Sequence, residues 1–133
     1  MELPTTLFTN AAGSLQADAR GFLRLTWHPN ATDTPARLEL MEQALLGLVR
    51  FGHGRILADQ RFMTPFSPAE QQWISTEWTP RAVQEGRYRR RAVLTARDAG
   101  ARRAAAAIIM SARAQISYCY FDDEAEAIAW LLA

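Results

Sequence analysis

The sequence predicts an α/β fold with an open mixed sheet of five or six strands. Two observations support this. Residues 6–28 alternate apolar and polar side chains between turn signals, which is typical of antiparallel strands. After residue 34, amphipathic helices alternate with short apolar runs, which favours parallel strands joined by helical crossovers. The chain closes with an apolar run, 116–121, followed at once by an acidic helix, 122–133, which is expected to pack back on the sheet.

Residues 6–28 are expected to form an antiparallel meander of two or three strands. Turn signals at Asn10–Gly13 and Asp18–Gly21 separate the strands. The clearest strand is Phe22–Trp27, whose apolar residues alternate with Arg24 and Thr26. This alternation predicts a half-buried strand with one solvent-exposed face.

The first helix is expected to open at Thr34, as the N-cap, with Pro35 at the first helical position. Gly52 and Gly54 are expected to end it. Its buried stripe is predicted from helical spacing to contain Leu38, Met41, Leu45 and Leu48.

The next strand, Arg55–Asp59, follows one helix and precedes another, so we expect it to be central and parallel to its neighbour. The loop 60–66 follows it. Ser67 and Glu70 then form a predicted capping box that starts the next helix. Thr79-Pro80 is expected to restart this helix as a second short one, which Gly86 closes.

The last third of the chain predicts two further strands and two helices. A strand is expected over 91–95, and Asp98 should cap an alanine-rich helix that runs to about Ala114. The strand 116–121 is expected to be buried, with Cys119 as a small apolar residue inside it. The aspartates and glutamates at 122–126 suit the start of the terminal helix.

Composition limits the class of function. The 133 residues are expected to form a single domain, 1–133, with 49% hydrophobic residues and a net charge of +1. This charge argues against a nucleic-acid partner. His28 and His53 lack metal-ligand spacing, so no metal is expected. The sequence has no P-loop and no Gly-x-Gly-x-x-Gly motif, so no cofactor is expected. Without a signal peptide or an apolar run long enough to span a membrane, the expected location is cytoplasmic.

The chain resembles the STAS/SEC14-like superfamily, which includes the SpoIIAA-like proteins, and is similar to small bacterial STAS/SEC14 domain proteins. The residues that carry the resemblance are Leu23–Trp27, Ile56–Pro68, Tyr88–Val93 and Tyr120–Leu132. The resemblance implies the strand order of the sheet and a non-enzymatic regulatory role. It also implies phosphorylation near the start of the helix after the central strand, which here means Ser67, although the usual Asp-Ser-Ser-Gly-like sequence is absent.

The loop after the central strand, with the helix that follows, is the best candidate site. Open α/β sheets bind ligands where parallel strands end, and a helix N-terminus suits an anion. Self-association is expected to use the same 59–78 region, so a homodimer is a further expectation. The candidate residues for ligand or partner binding are Asp59, Arg61, Thr64, Phe66, Ser67, Trp73 and Trp78.

Three functions remain open for this region. The favoured one is recognition of a protein partner through 59–78. The second is binding of a small anionic or lipid-like ligand by loop 59–67. The third is an enzyme built on Asp59, Arg61 and Glu70. Against all three stands a purely structural interpretation, in which Asp59 and Arg61 pair with each other while Phe62 and Phe66 fill the core.

Overall fold

The structure, a computed structural model, describes residues 3–51 and 53–133. A six-stranded mixed sheet has its strands in sequence order, with the first three antiparallel and the last four mutually parallel. The strands are β1 (Thr5–Asn10), β2 (Gly13–Asp18), β3 (Phe22–Trp27), β4 (Arg55–Asp59), β5 (Arg90–Leu94) and β6 (Ser117–Phe121). The helices are α1 (Thr34–Phe51), α2 (Pro68–Trp73), α3 (Thr79–Gly86), α4 (Ala99–Ala112) and α5 (Glu124–Leu132), with a π-helical segment, Ile74–Trp78, between α2 and α3.

These elements confirm the predicted α/β class, the N-terminal meander and the central position of β4. Helices cover the two faces of the sheet unequally. Leu25 and Ala58 point into the main core, which they share with residues of α1, the π-helical segment, α3 and α4. On the opposite face, Leu57 and Leu94 pack in a smaller core with Leu131 of α5. The sheet therefore has a thick helical layer on one side and α5 on the other.

The prediction of a solvent-exposed face on β3 is wrong. Phe22, Arg24 and Thr26 alternate with the core residues and so face α5. Phe22 is buried in the smaller core, and Arg24 forms an ion pair with Glu124 at the start of α5. The side chains of β3 alternate as predicted, but the local sequence does not reveal that the terminal helix covers the second face.

Helix α1 begins at Thr34, whose hydroxyl donates a hydrogen bond of 2.7 Å to the Glu70 carboxylate. Of the predicted stripe, Met41, Leu45 and Leu48 are buried, whereas Leu38 is half-buried. The helix ends at Phe51, and the predicted stop at Gly52 lies outside the described residues.

Gly54, the other predicted stop of α1, has a left-handed backbone with φ of +68°. A β carbon there would collide with the Arg87 carbonyl oxygen. Glycine is therefore required at the start of β4 for two independent reasons.

The capping box of α2 is confirmed. The Ser67 hydroxyl accepts from the Glu70 N–H at 3.1 Å, and the Glu70 carboxylate accepts from the Ser67 N–H at 2.8 Å. The predicted restart at Thr79 is not a break, because α2, the π-helical segment and α3 run on without interruption. The Thr79 N–H donates to the Ile74 carbonyl five residues earlier, so the helix widens just before Pro80, which has no N–H to donate.

The prediction that β6 is buried is wrong. It is the edge strand and pairs with β5. Its residues are exposed or half-buried, Cys119 is half-buried, and Tyr120 is 39% exposed. An apolar run alone does not reveal whether a strand is central or at an edge. The predicted cap of α4 is confirmed, with Asp98 accepting from the Ala101 N–H. At the predicted acidic start of α5, Asp123 accepts from the Glu126 N–H.

Candidate functional site

A cleft of about 340 Å³ opens where β4, β5 and β6 end. This is the edge of the parallel strands at which the sequence predicted a site. Its walls come from the loop after β4, the segment between β5 and α4, and the residues joining β6 to α5. The lining residues are Arg61, Thr95, Ala96, Arg97, Arg102, Phe121 and Asp122.

Asp59, the last residue of β4, forms an ion pair with Arg61 in the loop that follows. The Arg61 guanidinium donates to both Asp59 carboxylate oxygens, at 2.8 and 3.0 Å, and the Arg61 N–H donates to the same carboxylate at 3.2 Å. The hydrogen bond with Asp59 raises the pKa of the Arg61 guanidinium above its ordinary value. Asp59 is therefore occupied by Arg61 and by its own loop.

Phe62 projects from the loop and is 51% exposed, which contradicts the expectation that it fills the core. Its ring lies 4.5 Å from the guanidinium carbon of Arg97 and 6.0 Å from that of Arg61. The loop backbone is tied down just before Phe62, where the Arg97 N–H donates to the Arg61 carbonyl and the Gln60 N–H to the Leu94 carbonyl. Just after Phe62, the Met63 N–H donates to the Gln60 carbonyl. The exposed ring is thus held by a fixed loop.

The cleft is positively charged. Arg102 donates to the backbone carbonyls of Ala96 and Arg97, at 3.0 and 2.8 Å, which fixes its guanidinium in the wall. Within residues 3–51 and 53–133, neither Arg97 nor Arg102 has a carboxylate within ion-pairing distance. Asp122 is the acidic residue in the lining.

Arg37, which the sequence analysis did not single out, anchors the site loop to α1. Its side chain is buried and donates to the Glu70 carboxylate at 2.9 Å and to the carbonyls of Ala31, Thr64 and Pro65. Thr64 also accepts from Arg37 through its hydroxyl, so the predicted ligand residue Thr64 serves as a partner of the buried arginine. A signal was present, because Arg37 lies four residues before Met41 on the buried stripe of α1.

Glu70 is the acidic half of this cluster. Burial by itself raises the pKa of its carboxyl, but hydrogen bonds from Thr34, from the Ser67 backbone and from Arg37 outweigh burial and hold the pKa below its ordinary value of 4.5. Glu70 is therefore ionised at neutral pH. It does not line the cleft, so the structure does not bring it together with Asp59 and Arg61.

Two of the predicted binding residues are core residues. Trp78 is fully buried, and its Nε1–H donates to the Met41 carbonyl at 2.6 Å. Phe66 is buried edge-on against Trp27, with 5.1 Å between ring centroids. A surface role for Trp78 or Phe66 is thus contradicted, since a partner cannot reach either ring. Trp73, five residues from Trp78, is half-buried.

Ser67 is exposed at the start of α2. Its hydroxyl accepts the capping hydrogen bond from the Glu70 N–H. Phosphorylation of Ser67 stays a prediction.

The arginine run at 87–91 does not converge on one ligand. Arg91 is buried and donates to the Tyr88 hydroxyl, while Arg90 lies 4.2 Å from the Trp130 ring and donates to the Ala133 carbonyl. In the part of the chain that the structure describes, histidine, cysteine and carboxylate side chains form no group of three or more that could hold a metal ion. No helix among the same residues has the length and apolar character needed to cross a membrane.

Comparisons with known proteins agree with this architecture. No curated protein and no solved structure matches the chain. A family model described as SpoIIAA-like matches residues 22–132, which covers the sheet from β3 onward and all five helices. The match reaches from the last strand of the meander to the end of the terminal helix, and the chain therefore belongs to the SpoIIAA-like family.

Proposed function

We propose that this protein is an interaction module that binds a protein partner through the surface around Phe62. Membership of the SpoIIAA-like family supports a regulatory or protein-interaction role in general. The proposed surface comprises Phe62, the guanidinium groups of Arg61 and Arg97, and the adjoining cleft; we call it the Phe62 surface.

The exposed Phe62 ring is the observation that carries the proposal. An aromatic side chain on a tethered loop loses little freedom on binding, and such residues often supply much of the affinity of an interface. Arg61 and Arg97 flank the ring, and arginine is also enriched in interfaces. The partner that fits is a segment with an apolar residue for contact with Phe62 and an acidic residue for Arg97.

The test is site-specific photocrosslinking with benzoylphenylalanine at position 62, followed by affinity measurement with the purified partner. Leu46 is the matched control, because it is 58% exposed on α1 and does not line the cleft. We expect crosslinking to one defined protein from position 62 and none from position 46. We also expect Phe62→Ala to weaken binding at least about tenfold, whereas Leu46→Ala has no effect. Equal crosslinking from both positions, or unchanged affinity in Phe62→Ala, would rule out this surface.

A second function, binding of a small anion in the cleft, is favoured by Arg97 and Arg102. Neither has a carboxylate partner in the described chain, and a doubly charged oxyanion would satisfy both. The measurement is the shift in thermal midpoint produced by inorganic phosphate in the native chain and in Arg102→Gln. The control is Arg81→Gln, because Arg81 on α3 already pairs with Glu42 on α1. A stabilisation lost in Arg102→Gln and kept in Arg81→Gln would favour the anion, and equal stabilisation of all three proteins would exclude it.

The earlier expectation of self-association through 59–78 is left with a smaller surface, because Trp78 and Phe66 are buried. Trp73→Ala therefore remains the informative variant for that region. An enzyme using Asp59, Arg61 and Glu70 has no comparable support, since Glu70 belongs to the cluster with Arg37.

A further inference from the structure

We propose that the outer edge of β6 pairs with β6 of a second copy, in antiparallel orientation about a two-fold axis that passes beside Cys119. This interface adjoins the Phe62 surface at Phe121 and Asp122, but it does not depend on the function proposed for that surface. It would join the two six-stranded sheets into one continuous sheet.

The backbone of β6 has hydrogen-bonding groups free for such pairing. The Ser117 N–H donates to the Arg89 carbonyl, and the Phe121 carbonyl accepts from Thr95, so these two residues point toward β5. Because a parallel strand alternates its bonding direction, the N–H and C=O groups of Tyr118 and Tyr120 point outward. In the described chain, no strand pairs with this outer edge.

The edge also lacks the features that usually prevent strands from pairing. Strand β6 contains no proline and no charged residue, and its register with β5 has no bulge. The other edge strand, β1, has a register shift between Thr6 and Phe8 and is preceded by Pro4. Of the two edges, β6 is therefore the one open to a partner strand.

Two-fold pairing about Cys119 makes this edge complementary to itself. Tyr118 then lies opposite the partner's Tyr120, and each exchanges both backbone hydrogen bonds with the other. The two tyrosine rings already contact each other edge-on within one copy, at 6.1 Å, and Tyr118 contacts the exposed Met110. Side chains of opposite residues share a face, so the pairing stacks aromatic side chains across the axis.

The charges at the two ends of β6 favour pairing with a second copy of the chain in antiparallel orientation. The exposed Arg113 precedes β6, and the exposed Asp122 and Asp123 follow it. Antiparallel pairing brings the basic end of one strand beside the acidic end of the other. Parallel pairing would place like charges together.

The second face of the sheet leaves room for the pairing. Helix α5 packs over Phe22, Leu57, Ala92 and Leu94, which belong to β3, β4 and β5. The helix is therefore centred over the inner strands of the sheet and not over the edge strand β6. Cys119 faces the same side and remains half-buried.

Cys119 supplies a direct test, because it is the one cysteine in the chain. The proposed pair would hold the two Cys119 Cα atoms about 4.5 Å apart. This separation lies within the range that a disulfide spans. Diamide, which accepts two electrons and two protons from a pair of thiols, should therefore convert the native dimer to a covalent dimer through Cys119.

The matched variants are Tyr120→Pro and Tyr120→Val. Proline removes an N–H that the monomer does not use, at an edge position where proline is tolerated, whereas valine keeps that N–H. We expect sedimentation to show a dimer for the native chain and for Tyr120→Val, and diamide to crosslink both. Tyr120→Pro should be monomeric with an unchanged circular dichroism spectrum and should lose the crosslink. Since Cys119 stays accessible in Tyr120→Pro, persistent crosslinking in this variant would indicate random collision and overturn the proposal.

A second measurement does not depend on any variant folding. Hydrogen exchange of the Tyr118 and Tyr120 amides in the native chain should slow as protein concentration rises. A chain that stays monomeric at millimolar concentration would overturn the proposal. So would a dimer in which these two amides exchange as fast as they do at low concentration.

Discussion

Arg37 and Glu70 form a buried cluster in which both terminal guanidinium nitrogens of Arg37 donate hydrogen bonds. One guanidinium fixes three backbone carbonyls and a carboxylate, and that carboxylate in turn caps α2 and accepts from Thr34. The cluster joins α1, the site loop and α2 at a single buried point. The cluster fixes the relative positions of these three elements. A complete buried ion pair adds little net stability, but removing one partner is strongly destabilising.

Arg37→Met should lower the free energy of unfolding by about 3–5 kcal/mol, because it strands the buried Glu70 carboxylate and three carbonyls. The control is Arg81→Met, because Arg81 forms an exposed ion pair with Glu42 whose removal should cost far less stability. Urea unfolding followed by circular dichroism measures both. Equal losses in the two variants would contradict the role assigned to Arg37.

Glu70 also makes stability depend on pH. Its carboxyl pKa in the folded protein lies below the ordinary value of 4.5, so the unfolded chain binds the proton more readily. The stabilisation is therefore fully present above about pH 4.5 and is lost as pH falls toward the folded-state pKa. In Glu70→Gln the loss of stability below pH 4.5 should be smaller than in the native chain, as measured by urea midpoints at a series of pH values. If the urea midpoints of the two proteins fell equally with decreasing pH, the acid sensitivity would come from other carboxylates.

At the scale of secondary-structure elements, the terminal helix α5 forms the smaller core together with residues of β3, β4 and β5. It covers the face of the sheet opposite the main core, through Ala127 and Leu131. Its acidic start was visible in the sequence, and the structure shows that Asp123 is its N-cap. The sequence did not reveal that Phe22 and Arg24 of β3, about 100 residues earlier in the chain, would lie beneath it.

Leu131→Ala should therefore destabilise the protein by about 2–5 kcal/mol, because it opens a cavity in the smaller core. Leu132, which is half-buried next to it, is the matched control and should lose less when changed to alanine. Thermal or urea unfolding gives both values. A larger loss for Leu132→Ala would mean that α5 presents a different side to the sheet.

At the scale of the whole molecule, the sheet has a protected centre and two different edges. Strands β4 and β5 are paired on both sides and covered on both faces, whereas β1 and β6 are edge strands. Local opening requires less free energy at edges than in the centre. The two edges differ because β1 carries a register shift and β6 does not.

Amide exchange should be slowest in β4 and β5, approaching the rate set by global unfolding, and faster in β1 and in dilute β6. Hydrogen–deuterium exchange resolved by peptide or by NMR checks this order. Slow exchange throughout β1 would show that this edge is covered in solution.

The parts of the site that local sequence patterns determine could be predicted, and the parts that depend on contacts between distant segments could not. The position of the cleft was predictable, because the end of a central parallel strand is set by local alternation of helices and strands. Arg61 was found because it follows β4 directly. Arg97, Arg102 and Asp122 were missed, because only the pairing of β4, β5 and β6 brings the segments after these strands to one cleft.

The sequence by itself determined the element order, the α/β class, the capping box at Ser67, the cap at Asp98 and the acidic start of α5. These depend on periodicity and on hydrogen bonds within a few residues. The tertiary structure alone decided that Trp78 is buried, that Phe62 is exposed and that β6 lies at an edge. Those outcomes depend on which distant elements cover a side chain, and a local pattern of apolar residues is the same whether or not that cover is present.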